Sequence, residues 1–223
     1  MSPAGPLAAA YGRRRYAVLF YTLLVTLGAA PLLAALHFST DLLQILLVLS
    51  LLAALLGVPG QRWRALLMIA AALALGLRAA PTTAVGSGLA AGALAVACAI
   101  AVLAGVSALR FAMGTARVDA EHIYAALSVY LLAGLLFGVV HWTTEQTWPG
   151  SLTDAASQAG GAPFSLSAAI YYSFVTLATL GYGDIVPRSE MARGVAVLEA
   201  IGGQLYVAVL VANLVGTRLS PSR

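Results

Sequence analysis

The stretch Thr179-Leu180-Gly181-Tyr182-Gly183-Asp184 places two glycines at alternate positions, shortly after a hydroxyl-bearing residue and directly before a carboxylate. Glycine takes φ values that other residues avoid, so alternate glycines let successive backbone carbonyls point the same way. A ring of such carbonyls can replace the water around a cation. The chemistry this spacing suits is ion coordination, with no bond made or broken. A second chemically pointed residue is Glu199, a carboxylate inside the apolar run from Glu190 to Thr217. Burying charge in a membrane costs several kcal/mol, which marks such a residue as a functional candidate. Two placements are open: Glu199 points behind the glycine segment, protonated or hydrogen-bonded, or it snorkels outward to the interface. It stands alone in its span, whereas a membrane-embedded enzyme needs clustered acids, bases or metal ligands, so no enzymatic activity is expected. The single cysteine, Cys98, lies in an apolar run and excludes an intrachain disulfide or a cysteine-based metal site. His37, Gln44 and His141 are isolated and read as interfacial, satisfied or solvated side chains.

The elements that must position these residues are membrane spans. Of 223 residues, 61% are hydrophobic and 9% charged, with a mean hydropathy of +0.93. A soluble domain carries about 25% charged residues, so a water-soluble globule is excluded. A membrane helix needs about 20 mostly apolar residues, and six runs qualify: about Tyr16 to His37, Leu42 to Gly57, Trp63 to Ala80, Gly86 to Leu109, His122 to Thr143 and Glu190 to Thr217. The third is marginal, because Arg64 and Arg78 leave only thirteen uncharged residues between them and Arg78 must snorkel. Only the fifth-to-sixth connection is long. It holds a polar stretch from Thr144 to Ser167, then Ala168 to Asp184. Residues Ser165 to Ala178 have a helix-compatible composition behind a serine start signal, but fourteen residues at about 1.5 Å each reach only partway through a bilayer. A half-membrane helix followed by non-helical backbone at depth is tolerated only where it is buried in protein or lines a water-filled path.

All twelve basic residues are arginines, and nucleic acid is not an expected partner. With the N-terminus inside, Arg13, Arg14, Arg15, Arg62, Arg64, Arg110, Arg117, Arg218 and Arg223 are cytoplasmic, against Arg78, Arg188 and Arg193 outside. Nine against three predicts both termini in the cytoplasm and the long loop external or re-entrant. The first run is too long for the apolar core of a signal peptide. The alanine-rich, lysine-free composition is associated with GC-rich prokaryotic genomes, and a bacterial inner membrane is the expected location.

The segment resembles the tetrameric potassium channels, whose signature T-[VIL]-G-Y-G-D is matched by Thr179 to Asp184, with Thr176 at the usual pore-helix threonine. The resemblance implies K+ coordination by the Thr179 hydroxyl and the carbonyls of Thr179, Leu180, Gly181 and Tyr182. It makes Gly183 the mobile outer turn and Asp184 the mouth carboxylate. Past the filter it continues through Ile185-Val186-Pro187 and Arg193, placing Gly203 at the inner-helix hinge beside Gly202. Gln204, Val207 and Val211 then line the cavity, and Ala212 and Val215 lie near the cytoplasmic constriction. Adjacent glycines cost about 1 kcal/mol each in a helix relative to alanine; close packing against the pore helix and bending during gating are equal alternatives. Some members place a glutamate where this chain has Val175, so Asp184 needs another partner, Tyr171 or a water.

One chain supplies one strand of carbonyls and a cage needs four, so the resemblance implies a homotetramer. The expected architecture is an all-α membrane protein with six transmembrane helices, and a re-entrant pore helix and selectivity filter between helices 5 and 6. Residues 1–118 form a four-helix module and residues 119–223 the pore domain. No charged residue falls between Arg78 and Arg110, so a conventional voltage sensor is not expected. The small-xxx-small pair Gly88 and Gly92 favours close helix packing instead. The chain reads as a passive potassium channel in contact with membrane lipid, without a cofactor beyond the permeant ions; a non-selective cation channel or a silent regulatory subunit is the alternative. A secondary transporter would need inverted repeats, and the glycine segment has no counterpart in the first half. The chain stops five residues after Arg218, so no soluble ligand-binding domain is expected to act within it.

Overall fold

The computed structural model describes residues 14–35, 40–56, 67–71, 87–114, 119–154 and 163–219. His37, Arg62, Arg64, Arg78 and most of the third apolar run lie outside them, as do Arg13, Arg117 and the middle of the long loop. The described chain is helical apart from two short strands: α1 Arg15–Ala35, α2 Thr40–Leu56, α3 Ser87–Met113, α4 Ala120–Thr147, β1 Leu152–Asp154, α5 Leu166–Leu177, β2 Ile185–Pro187 and α6 Glu190–Leu219. Among the described residues three helical stretches are long and apolar enough to cross a membrane: Ala95–Met113, Ala120–Thr147 and Glu190–Gly216. The chain divides into two compact units within α4, Met1–Leu131 and Leu132–Arg223.

In the first unit α1 and α2 bury Leu19, Leu23, Ala53, Ala54 and Leu55. One polar pair is enclosed with them, Thr26 Oγ1 and Ser50 Oγ at 2.8 Å, and Thr26 Oγ1 also donates to Thr22 O, so neither hydroxyl is left unsatisfied. Tyr16 stacks on Phe111, which stacks in turn on His122. Asp119 caps α4: its Oδ1 accepts from the His122 backbone N–H at 3.1 Å and lies 2.6 Å from His122 Nδ1. That side-chain hydrogen bond holds the Asp119 carboxyl below the ordinary carboxylate range.

The second unit positions the candidate site. α4 runs a full turn beyond Thr143, where the polar composition predicts its end. The threonines do not break it because Thr143, Thr144 and Thr147 return their hydroxyls to the carbonyls of Val139, Val140 and Thr143. β1 and β2 pair antiparallel in the register Leu152↔Pro187, Thr153↔Val186, Asp154↔Ile185, a small sheet that composition did not announce. Its turn is fastened to α4 by Glu145, whose two carboxylate oxygens accept from Gly150 N (2.8 Å) and Leu152 N (2.7 Å). Leu152, Tyr172, Ile185 and Ala192 close a core between β1, α5, β2 and α6. The remainder of α6 is bare: Leu198, Ile201, Leu205, Val211 and Val215 are each more than half exposed.

Candidate ion-conducting site

α5 begins at Ser165, an extended residue whose hydroxyl accepts from Ala168 N at 3.1 Å, and ends at Ala178 after twelve helical residues. It is gripped from both sides at glycines. A Cβ at Gly134 would stand 2.5 Å from the Phe174 ring, and one at Gly138 would stand 2.8 Å from Ile170 Cα, so α4 approaches α5 with no room for a side chain. On the other side Gly203 of α6 lies against Leu177, where a Cβ would collide with the Leu177 carbonyl oxygen. Gly202 meets nothing within 4 Å. Of the two alternatives for this glycine pair, close packing is visible at Gly203.

The chain after α5 is drawn back onto the helix end. Thr179 N donates to Thr176 O (2.9 Å), while Leu180 N (2.8 Å) and Gly181 N (3.4 Å) both donate to Val175 O. Positive φ then falls on every second residue: Thr179 at 56°, Gly181 at 59° and Gly183 at 80°. Alternating handedness is the backbone pattern that can turn each peptide over relative to the last and so allow successive carbonyls to share one side. Thr179 is the one non-glycine residue with positive φ among those described, and a β-branched residue there is strained. Gln204 of α6 reaches its hydroxyl, Nε2 donating to Oγ1 at 3.3 Å. Leu180 and Tyr182 are 56% and 67% exposed in the single chain, so their side chains do not bury themselves against their own α5.

Beyond the glycines, Asp184 is fixed by two donors. Tyr171 O–H donates to its Oδ2 at 2.7 Å and the Ile185 amide to its Oδ1 at 3.0 Å, so Tyr171 fills the place that Val175 leaves open. Below the segment Gln204, Val207, Val211, Ala212 and Val215 are all exposed along α6.

Behind the segment sits a group that the sequence reading only half identified. Glu199 is fully buried and so does not snorkel. Its Oε1 lies 2.5 Å from Ser173 Oγ of α5 and its Oε2 lies 2.8 Å from Nε2 of a fully buried His141 of α4. His141 and Ser173 were both missed. A usable signal existed for the histidine: a carboxylate in a span needs a partner, and of three histidines only His141 is not the first or last residue of its apolar run. No comparable signal marks Ser173.

Residues 125–218 match the family described as "Ion channel". The chain is 32% identical over 87 residues to "Two pore potassium channel c" of Oryza sativa subsp. japonica, a match covering 39% of this chain and 18% of that protein. It is 31% identical over 96 residues to "Inward rectifier potassium channel Kirbac3.1" of Paramagnetospirillum magnetotacticum, covering 41% and 28% respectively. Thus the chain spans less than a third of the length of these two relatives. With "Protein LctB" of Geobacillus stearothermophilus it shares 31% identity over 108 residues, which is 45% of this chain and 80% of that protein. No solved structure matches. A family match lying over α4, α5, the glycine segment and α6, together with a relative covered across most of its length, identifies a helical membrane protein that belongs to the ion-channel family and is not an enzyme.

Proposed function

We propose that the chain is a potassium-selective channel of the plasma membrane, working as a homotetramer whose four copies of Thr179 to Tyr182 surround one conduction path. The observation that carries this reading is the positive φ at every second residue from Thr179 to Gly183, with the amides of Leu180 and Gly181 tied back to Val175 O. Oxygens presented in a row on one side replace the hydration shell of a bare cation, and ions in neighbouring sites repel one another enough to leave. Two of the relatives are named as potassium channels, which supports K+ as the permeant ion.

In this reading α5 is re-entrant, lying between the fifth and sixth spans of a six-span chain, and both termini are cytoplasmic. The carbonyl end of α5 bears a partial negative charge that faces the central cavity and offsets part of the ion's dehydration. Residues 119–223 form the pore domain and residues 1–118 a module without gating charges, so voltage contributes no conventional gating. Gly183 and Asp184 form the mouth, and Gln204, Val207, Val211, Ala212 and Val215 line the cavity and its inner end. A fourfold assembly also accounts for the exposed apolar residues of α6: those facing the axis line the cavity, and those facing neighbours are covered by other subunits and lipid.

The test is the reversal potential of purified protein in planar bilayers under asymmetric K+ and Na+. A value near the K+ equilibrium potential, lost in Gly181→Ala, supports the reading. A reversal near zero under bi-ionic conditions refutes potassium selectivity and leaves a general cation channel. Silence from well-assembled tetramers points to a regulatory subunit.

A further inference from the structure

Ser173 Oγ lies 2.7 Å from Gly134 O and 2.5 Å from Glu199 Oε1, both at hydrogen-bonding distance. A serine hydroxyl has one hydrogen to give. Gly134 O is a carbonyl with none, so the serine hydrogen satisfies it, and the contact with Oε1 then needs a hydrogen from the glutamate. An ionised carboxylate only accepts, whereas a protonated one donates once. On the far side Glu199 Oε2 lies 2.8 Å from His141 Nε2, and the tautomer that leaves no unpaired N–H buried makes Nε2 the donor. Nδ1 of the same ring is buried and has no partner among the described residues. A cationic histidine would bury an unpaired, charged N–H at that nitrogen, while the neutral ring leaves only a lone pair there, at lower cost.

We propose that His141, Glu199 and Ser173 form a charge-neutral hydrogen-bond relay, with a proton resident on Glu199, that positions the pore helix and through it the filter. The hydrogens run one way, from His141 Nε2 to Glu199 Oε2, from Glu199 Oε1 to Ser173 Oγ, and from Ser173 Oγ to Gly134 O. The relay therefore joins three elements that no single contact joins: α4, α6 and α5. Ser173 stands two residues before Val175, whose carbonyl holds the amides of Leu180 and Gly181. A shift of α5 at Ser173 moves that carbonyl, and with it the carbonyl row. The titratable groups facing Glu199 among the described residues are His141 of α4 and Tyr172 of α5, whose ring packs edge-on against the imidazole with centroids 4.8 Å apart. Among the described residues no arginine or second carboxylate bonds to Glu199 or His141, so a neutral pair has no outside charge there to compensate. His141, Glu199 and Ser173 are positioning residues in this account; none touches the ion.

The inference rests on the potassium-channel reading for its effect on selectivity, but the proton itself can be observed without any current. Difference infrared spectra of the full chain in lipid, wild type minus Glu199→Gln, should contain a protonated-carboxyl stretch at neutral pH that shifts in deuterium oxide. A carboxylate band in its place overturns the relay. Glutamine is the neutral mimic, accepting from His141 and donating to Ser173, so Glu199→Gln should rescue what Glu199→Ala loses. The K+ over Na+ permeability ratio should fall about tenfold in Glu199→Ala and Ser173→Ala and stay within about twofold of wild type in Glu199→Gln. If Glu199→Gln fails as badly as Glu199→Ala, the negative charge was what mattered and the proposal falls. If the alanine variants do not assemble, the infrared band and the glutamine variant still decide. A wild type that is non-selective but shows the protonated band refutes the potassium reading and leaves the proton on Glu199 standing.

Discussion

Gly202 and Gly203 are neighbours in sequence and opposites in structure, which makes alanine substitution at each a controlled experiment. At Gly203 the added methyl would meet the Leu177 carbonyl oxygen, with Leu177 Cδ1 at 2.9 Å and Cγ at 3.2 Å. The side-chain carbons can rotate away, but the carbonyl belongs to the last turn of α5 and moves only if the helix end moves. Forced overpacking of this kind costs about 1–3 kcal/mol, against which alanine recovers about 1 kcal/mol of helix propensity. The net is a loss of about 0–2 kcal/mol per chain. In the proposed fourfold assembly the loss is repeated in every copy, so the upper part of that range lowers the melting temperature by several degrees. At Gly202 nothing lies within 4 Å, so the propensity gain stands unopposed within the chain. The assay is thermal unfolding of the purified protein, with its assembly state followed by gel filtration and, on the potassium-channel reading, K+ over Na+ permeability measured in parallel. Gly203→Ala should unfold earlier and select less well, because the displaced carbonyl end of α5 bears on the filter; Gly202→Ala should unfold no earlier than wild type. Gly203→Ala behaving like wild type in both readouts would refute the close-packing account and return hinge bending as the reason for the pair.

Three further perturbations follow from the same geometry. Tyr171→Phe removes the hydroxyl donor to Asp184 Oδ2 while leaving the ring; single-channel conductance or open-time statistics should change with protein stability nearly unaltered, and unchanged currents would deny the hydroxyl the role at the mouth that the proposed function gives it. Glu145→Ala frees the amides of Gly150 and Leu152 together, so limited proteolysis should cut the 148–153 segment faster in the variant, whereas Glu145→Gln, keeping one acceptor, should fall between. Asp119 has its carboxyl pKa lowered from 3.8 by the His122 hydrogen bond, so its contribution is present above that value and is lost as pH falls through the lower native one. The stability difference between wild type and Asp119→Asn, small because the carboxylate is exposed, should therefore shrink on acidification below about pH 4, and a difference that grew instead would reverse the assigned sign.

How much of this was legible in the residues depends on the range of the interaction. The apolar runs gave α1, α2, α3, α4 and α6 as helices, since a long apolar stretch satisfies its backbone internally that way; among the described residues three of them are long and apolar enough to cross a membrane. The serine start of α5 and the glycine alternation after it were equally local, and the positive φ at Gly181 and Gly183 falls where glycine permits it. Thr179 was less legible: its strained φ is imposed by the amides bound to Val175 O and not by its own preference. The threonines closing α4 looked like a helix end because their hydroxyls compete for backbone partners, and the outcome turned on each finding the carbonyl four residues back. The β1–β2 pairing joins residues more than thirty positions apart with three-residue strands, too short for any periodicity. The relay is the extreme case, with Gly134, His141, Ser173 and Glu199 brought together from three elements.

That relay sits where the strain is. Among the described residues of the second unit the fully or nearly buried polar ones are His141, Thr144, Ser151, Ser173 and Glu199, and the hydroxyls of two of these, Thr144 and Ser151, donate to nearby backbone carbonyls. The other three are linked to one another directly behind a segment that holds a β-branched residue at a φ of 56°. A left-handed residue of this kind costs about 1–3 kcal/mol, and the surrounding structure must over-determine it for the carbonyl row to persist. Close packing at Gly134, Gly138 and Gly203 holds α5 sterically, but it does not orient polar groups. Hydrogen bonds are directional and fail steeply when displaced. A buried polar group within a span is thus costly where the backbone is relaxed and useful where it is not, which is why Glu199 is tolerated in the turn of α6 that faces α5.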